Sequence, residues 1–155
     1  MTPLATIRVL IADDHEIVRE GMRMFLAEEA EIDLVGEATH GAEAVSLAQM
    51  HRPDVVLMDL VMPGMDGVEA TRLVKETCPE TRVLILTSFA ESEQVRQAIQ
   101  AGATGYLLKD MLRNELLRAI RAAAAGQPTL HPEAQRQLMQ QVTQPSPSAT
   151  PSPLE

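Results

Sequence analysis

Five side chains in this 155-residue chain stand where short apolar runs end, and their types suit the handling of a phosphoryl group. Asp13 and Asp14 follow the run Ile7–Ala12, and Asp59 follows Leu57-Met58. Carboxylates placed side by side repel one another, which raises at least one pKa. A hard divalent cation relieves that repulsion, and Mg²⁺ suits a site with few carboxylates, several waters and a phosphoryl oxygen. Taken alone, Asp13 or Asp14 serves equally well as a cap on the helix that follows. Asp59 resists so plain a reading, because an acid leaving an apolar strand needs partners. Thr87, followed by the small Ser88, could donate a hydrogen bond to a phosphoryl oxygen, and Lys109 could pair with that group or with Asp59. Individually these are an ordinary loop threonine and a solvated lysine. Jointly, on strand ends of one sheet, they describe a pocket for in-line phosphoryl transfer. Asp59 is the nucleophile, Mg²⁺ and Lys109 screen charge, and Thr87 orients an oxygen.

The elements that must position these residues are legible as a repeat. Apolar runs at Ile7–Ala12, Ile32–Ala38, Val55–Leu60, Val83–Thr87 and Thr104–Leu108 are mostly continuous, as in strands buried on both faces of a parallel sheet. Helical patterns lie between and after them, at His15–Glu29, Gly41–Met50, Gly67–Thr77, Ser92–Ala101 and Met111–Ala125. In the first, Val18, Met22, Phe25 and Leu26 recur at helical spacing. Gly102 and Gly126 stand where helix C-caps belong, and Asp110 can cap the fifth helix from its N-terminal side. Pro63, Gly64 and Gly67 supply a tight turn after Asp59, in which Asp66 suits a helix cap better than a ligand. A fivefold βα repeat predicts an α/β fold, a three-layer, doubly wound, flavodoxin-like sandwich with parallel strand order 2-1-3-4-5. Ligands are then expected at the carboxyl ends of strands one and three.

Residues 1–126 form the domain on this reading. Over 127–143, Ala134, Leu138 and Val142 share a stripe that suits one further short helix. Residues 144–155 are rich in Pro, Ser and Thr and read as a linker toward an output domain. The net charge of −9 argues against direct nucleic-acid binding, which needs clustered Lys and Arg. No apolar run is long enough to span a bilayer, Met1–Leu4 lacks a signal-peptide pattern, and the single Cys78 offers no disulfide framework. A cytoplasmic protein is expected. Phe25, Phe89 and Tyr106 are the only aromatics, so a half-exposed Tyr106 would stand out.

The blocks Ile11-Ala12-Asp13-Asp14-His15, Leu57-Met58-Asp59, Met62-Pro63-Gly64-Met65-Asp66-Gly67, Leu86-Thr87-Ser88 and Gly102-Ala103-Thr104-Gly105-Tyr106-Leu107-Leu108-Lys109-Asp110 resemble the signature blocks of response-regulator receiver domains. The likeness is to the LuxR-type (NarL/FixJ) subfamily in particular, and it runs in register over about residues 5–126. The resemblance implies a two-component signalling protein rather than a turnover enzyme. Asp59 is then the phosphorylated aspartate, fed by a sensor histidine kinase or a small phosphodonor. Asp13, Asp14, Asp59 and the backbone carbonyl of Val61 hold Mg²⁺; Thr87 and Lys109 are the switch hydroxyl and lysine, and Tyr106 the switch aromatic. Two departures stand out. Asp110 replaces the proline that often follows the lysine, which leaves the geometry of the Lys109–Asp110 peptide open. Val61 and Phe89 replace polar residues of fast-cycling members, which predicts slow dephosphorylation.

The implied output is a homodimer that forms on phosphorylation and controls transcription through a DNA-binding domain. Met24 on the first helix, with Met111 and Leu112 opening the fifth, could supply an adaptable apolar contact, whereas Met22 reads as core. The face between helices four and five is the alternative surface. Competing functions are a stand-alone receiver acting on proteins and a Mg²⁺-dependent phosphatase with an aspartyl-phosphate intermediate. The latter is disfavoured because Val61 stands where a second acid is needed. Flavin binding is disfavoured by the lack of a phosphate-cradling loop and of aromatics.

Overall fold

The structure is a computed structural model that describes residues 6–88, 93–127 and 129–130. Its elements alternate as β1 (Ile7–Ala12), α1 (Glu16–Ala27), β2 (Ile32–Ala38), α2 (Gly41–His51), β3 (Val55–Asp59), α3 (Gly67–Thr77), β4 (Arg82–Thr87), α4 (Glu93–Gln100), β5 (Gly105–Leu108), α5 (Arg113–Ala124) and β6 (Thr129–Leu130). The sheet is parallel throughout, in the order β2-β1-β3-β4-β5-β6. The expected 2-1-3-4-5 order is therefore present. The two-residue β6 was not expected; it pairs with the outer edge of β5, Gly105 opposite Thr129 and Tyr106 opposite Leu130. Apart from Gln127 and β6, the helix expected within 127–143 and the linker over 144–155 lie outside the described residues.

Side-chain alternation along each strand builds two separate cores. Leu10, Ala12, Val56, Met58, Val83, Ile85 and Tyr106 face α2, α3 and α4, against Ala44, Ala48, Ala70, Val74, Val95 and Ala98. Val9, Ile11, Val55, Leu57, Leu84, Leu86 and Leu107 face α1 and α5, against Leu26, Leu116, Leu117 and Ile120. This explains the continuous apolar runs. Past the entries of the central strands, where Arg8 and Arg82 reach partly to solvent, neither face meets water, so no position is left for a polar residue until the carboxyl ends. The acids and the hydroxyl of interest begin where that coverage stops.

Strand limits agree with the sequence reading to within one residue, while the fifth helix differs by two. After β5 the chain makes a turn through Lys109 and Asp110, with the Met111 N–H bonded to Leu108 O, before α5 begins at Arg113. Leu112 is thus the N-cap. Asp110 is too early to serve, and the Glu115 carboxylate takes the Leu112 N–H instead, at 2.9 Å. Asp66 does cap α3, accepting the Glu69 N–H at 2.9 Å. No described peptide bond is cis, so Lys109–Asp110 is trans. Among the described residues no helix is long and apolar enough to cross a membrane.

Candidate functional site

Parallel order places the carboxyl ends of β1, β3, β4 and β5 side by side, and the sequence puts one polar residue at or just past each. Asp13 follows β1, Asp59 ends β3, Thr87 ends β4 and Lys109 follows β5. Asp13, Asp59 and Thr87 are buried, at 0%, 3% and 5% exposure, while Asp14 is exposed and Lys109 half-buried.

The Lys109 ammonium joins the first two, lying 3.1 Å from both Asp13 Oδ2 and Asp59 Oδ2. Those two oxygens are buried, and neither accepts a well-aligned hydrogen bond despite the nearby charge. One cation thus faces two buried anions, an arrangement short of positive charge. Burial and then the neighbouring Asp13 charge push the Asp59 pKa up, against the opposing pull of Lys109 and the Val61 N–H. Burial also depresses the Lys109 ammonium, but the Asp59 and Asp13 charges overcome it and the pKa moves up.

Two loops hold the acids in place. The Asp13 N–H bonds Ala38 O on β2, and Arg19 donates to the Asp13 backbone carbonyl at 2.6 Å. After β3, the Gly67 N–H returns to Leu60 O at 2.8 Å. A Cβ on Gly67 would lie 2.2 Å from the Asp59 carbonyl oxygen, so only glycine lets α3 start this close to Asp59. Gly64, at φ +72°, turns the chain between them. On the other side, the Lys109 N–H bonds Thr87 O at 2.8 Å, tying the lysine backbone to that of the threonine.

The sequence reading thus brought Asp13, Asp14, Asp59, Thr87 and Lys109 to one end of the sheet. It missed His15. The imidazole Nδ1 lies 3.0 Å from Asp13 Oδ1 and 3.3 Å from Asp14 Oδ1, and one donor atom each of Asp13, Asp14, His15 and Asp59 lies within 4.8 Å of the others. The signal was in plain view, since His15 follows directly on the acidic pair. Neither acid caps α1: His15 is the N-cap, and Asp13 Oδ1 accepts the His15 N–H just before it. The cluster can hold a cation, its donors mostly carboxylate oxygens of which two lack aligned hydrogen bonds.

Tyr106 is fully buried, at 0%, packed in the core with Val95, Ala98 and Ala103. The reason is its register: Tyr106 pairs with Ile85, and both point to the face covered by α4. Thr87, two residues beyond Ile85, points to that same face. Val61 is 64% exposed at the mouth of the loop after Asp59, and Phe89 lies outside the described residues. Of the dimerisation candidates, Met24 and Leu112 are exposed at 64% and 71%, whereas Met111 and Met22 pack partly against the core.

A doubly wound parallel sheet with acids at the carboxyl ends of β1 and β3 and a lysine after β5 is the arrangement of a signal-receiving module. The chain belongs to the response regulator receiver domain family, whose model matches residues 9–121. It is 48% identical over 124 residues to the Bacillus subtilis transcriptional regulatory protein LiaR, covering 80% of this chain and 59% of that protein. This chain therefore spans about three fifths of that relative's length. The signal receiver domain of the putative response regulator NarL from Mycobacterium tuberculosis matches with a TM-score of 0.76 at 41% identity, over 80% of this chain and all of that one. A two-component response regulator of the LuxR family from Aurantimonas sp. SI85-9A1 matches at TM-score 0.83 and 36% identity, over 90% of this chain and all of that one. The chain is a two-component receiver of the LuxR/NarL type.

Proposed function

We propose that this chain is the phosphoacceptor domain of a transcription regulator, taking a phosphoryl group from a sensor histidine kinase onto Asp59. The observation that carries the proposal is the charge imbalance at Asp59: two buried carboxylate oxygens, Asp13 Oδ2 and Asp59 Oδ2, share one ammonium at 3.1 Å. Asp13, Asp14, Asp59 and the Val61 carbonyl would hold Mg²⁺, which would neutralise charge on the carboxylates and on the incoming group. The Asp59 carboxylate attacks phosphorus, an O–P bond forms as the donor's N–P bond breaks, and the kinase imidazole leaves. Lys109 is placed to pair with the phosphoryl oxygens, and Thr87 donates its hydroxyl to one of them. The test is intact mass after acetyl phosphate and Mg²⁺. Wild type gains one phosphoryl group and Asp59→Ala gains none; equal labelling of the two refutes the assignment.

From Asp59 the signal passes through Thr87 to Tyr106, which share a face on adjacent strands. A shift of Thr87 toward the phosphoryl group changes the space beside Tyr106 and α4, so the populations of two packings shift. Phosphorylation then favours a homodimer. A groove of about 410 Å³ between α1 and α5, lined by Ile17, Met22, Phe25, Met111 and Leu112 among others, is the surface we favour over the α4–α5 face. Met24 stands outside that lining. The output is DNA binding by a separate domain, as the relative's description as a transcriptional regulatory protein suggests. Val61, apolar and exposed beside Asp59, cannot orient a hydrolytic water, so the acyl phosphate decays slowly. A half-life of seconds overturns that point alone.

A further inference from the structure

His15 is the member of the cluster that the phosphoacceptor role does not use. Its Nδ1 stands 3.0 Å from Asp13 Oδ1 and 3.3 Å from Asp14 Oδ1. Donors bound to one ion at about 2.1 Å lie roughly 3.0 Å apart in an octahedron and roughly 3.4 Å apart in a tetrahedron. Both spacings fall within the range of such edges, and the shorter is also that of the Nδ1···Oδ1 hydrogen bond. The backbone keeps the ring there: His15 is extended at the N-cap of α1, and its N–H is held by Asp13 Oδ1 at 2.8 Å. The imidazole is 62% exposed, so ions reach it from solvent. Independently, Asp13 Oδ2 and Asp59 Oδ2 are buried and lack aligned hydrogen bonds, and the single Lys109 ammonium 3.1 Å from each leaves the cluster short of positive charge.

We propose that His15 is a nitrogen ligand of the acidic site and shifts its preference from Mg²⁺ toward imidazole-binding divalent ions such as Co²⁺ and Zn²⁺. The inference rests on the reading that Asp13, Asp14 and Asp59 hold a cation. Carboxylates, carbonyls and water serve Mg²⁺ well, and a neutral imidazole adds little to it. The same imidazole strengthens binding of later first-row metals substantially. Mg²⁺ also gives up its waters reluctantly, which a nitrogen donor does not repay. If His15 instead only donates a hydrogen bond to Asp13, its removal weakens all ions alike.

The experiment is calorimetric titration of the full chain, stripped by chelator, with Mg²⁺ and separately with Co²⁺. Wild type, His15→Ala, His15→Gln and Asp13→Asn are compared. His15→Ala and His15→Gln are each expected to lose about tenfold or more in Co²⁺ affinity while Mg²⁺ affinity stays within about twofold. Proton NMR of the Co²⁺ form of wild type should show a strongly shifted exchangeable imidazole resonance that both variants lack. Asp13→Asn loses both metals, which separates this site from the other histidines. Equal loss of Mg²⁺ and Co²⁺ in the His15 variants overturns the inference, as does a His15→Gln protein that keeps its Co²⁺ affinity. Failure of wild type to bind Mg²⁺ at all, with Asp13→Asn no different, strikes instead at the cation-binding reading beneath it.

Discussion

Replacing Asp59 by Asn should stabilise the folded protein at neutral pH, although it breaks an ion pair. The lost attraction to Lys109 at 3.1 Å is about 5 kcal/mol at an effective dielectric constant of roughly 20. The relieved repulsion from Asp13, whose donor atom lies within 4.8 Å, is about 3.5 kcal/mol on the same scale. These terms largely offset one another. The cost of desolvating the Asp59 carboxylate, several kcal/mol for a buried ion, then decides the sign. After allowance for the partial exposure of Lys109, a net gain of about 1–2 kcal/mol is expected, or roughly 3–8 °C in Tm. The pH dependence supplies the check. Asp59 has a folded pKa raised above its unfolded value, so its ionisation costs stability as pH rises through the shifted value, and costs nothing below the unfolded one. Urea denaturation of wild type and Asp59→Asn should therefore show the gap at pH 7 and its closure near pH 4, about the intrinsic pKa of an aspartate. Saturating Mg²⁺ should also narrow the gap, because it stabilises wild type more. A variant less stable than wild type at pH 7, or a gap that persists unchanged in acid, refutes the electrostatic account of the site.

Lys109→Met should have the opposite effect, destabilising by about 1–3 kcal/mol at pH 7 because two buried carboxylates lose their common counter-ion; denaturation midpoints should recover on acidification. The ammonium's raised pKa means that its contribution is present at neutral pH and lost only as alkaline pH passes through that raised value. Gly67→Ala places a Cβ 2.2 Å from the Asp59 carbonyl oxygen, so it should cost about 1–3 kcal/mol in thermal unfolding and slow acceptance of phosphoryl groups from acetyl phosphate. Tyr106→Ala removes a fully buried ring and should cost about 3–5 kcal/mol; in protein still folded at low temperature, acetyl phosphate and Mg²⁺ should still add one phosphoryl group by intact mass, while sedimentation with a phosphoryl mimic shows no dimer. Leu112→Asp, at a position 71% exposed, should leave stability within about 0.5 kcal/mol yet abolish that dimer, whereas Met24→Asp, outside the groove, should weaken it less.

The clustering of Asp59 with Asp13, Asp14, Thr87 and Lys109 was legible because strand ends are the only places where a doubly covered sheet tolerates polarity. Asp13, Asp59 and Thr87 interrupt or end runs otherwise apolar on both faces, so each advertises itself against its surroundings. What escaped depended on geometry that no local pattern encodes. Asp110 looked like a cap because it is an acid near a helix start, yet the turn after β5 moves the helix two residues on and leaves Glu115 to satisfy Leu112 from within. The burial of Tyr106 was not legible because the sequence alone does not say which face of β5 is covered by α4. The strand Thr129–Leu130 escaped because two residues carry no periodicity. His15 went unnoticed for another reason: as the first residue after an acidic pair it reads as helix punctuation until distances are known.

The full burial of Tyr106 bears on the proposed switch. A switch that moves a fully exposed ring into an empty pocket would gain the whole free energy of burying an aromatic, and the phosphoryl group would have little left to decide. Here the ring is at 0% exposure, packed on the face that Thr87 shares. On the proposed switch, the two packings then differ in how Thr87, Tyr106 and α4 fit together rather than in the ring's total burial. A smaller gap follows, one that a few kcal/mol of charge rearrangement at Asp59 can tip. The same imbalance of charge that makes Asp59 costly to keep ionised makes it the point at which that rearrangement has the most leverage.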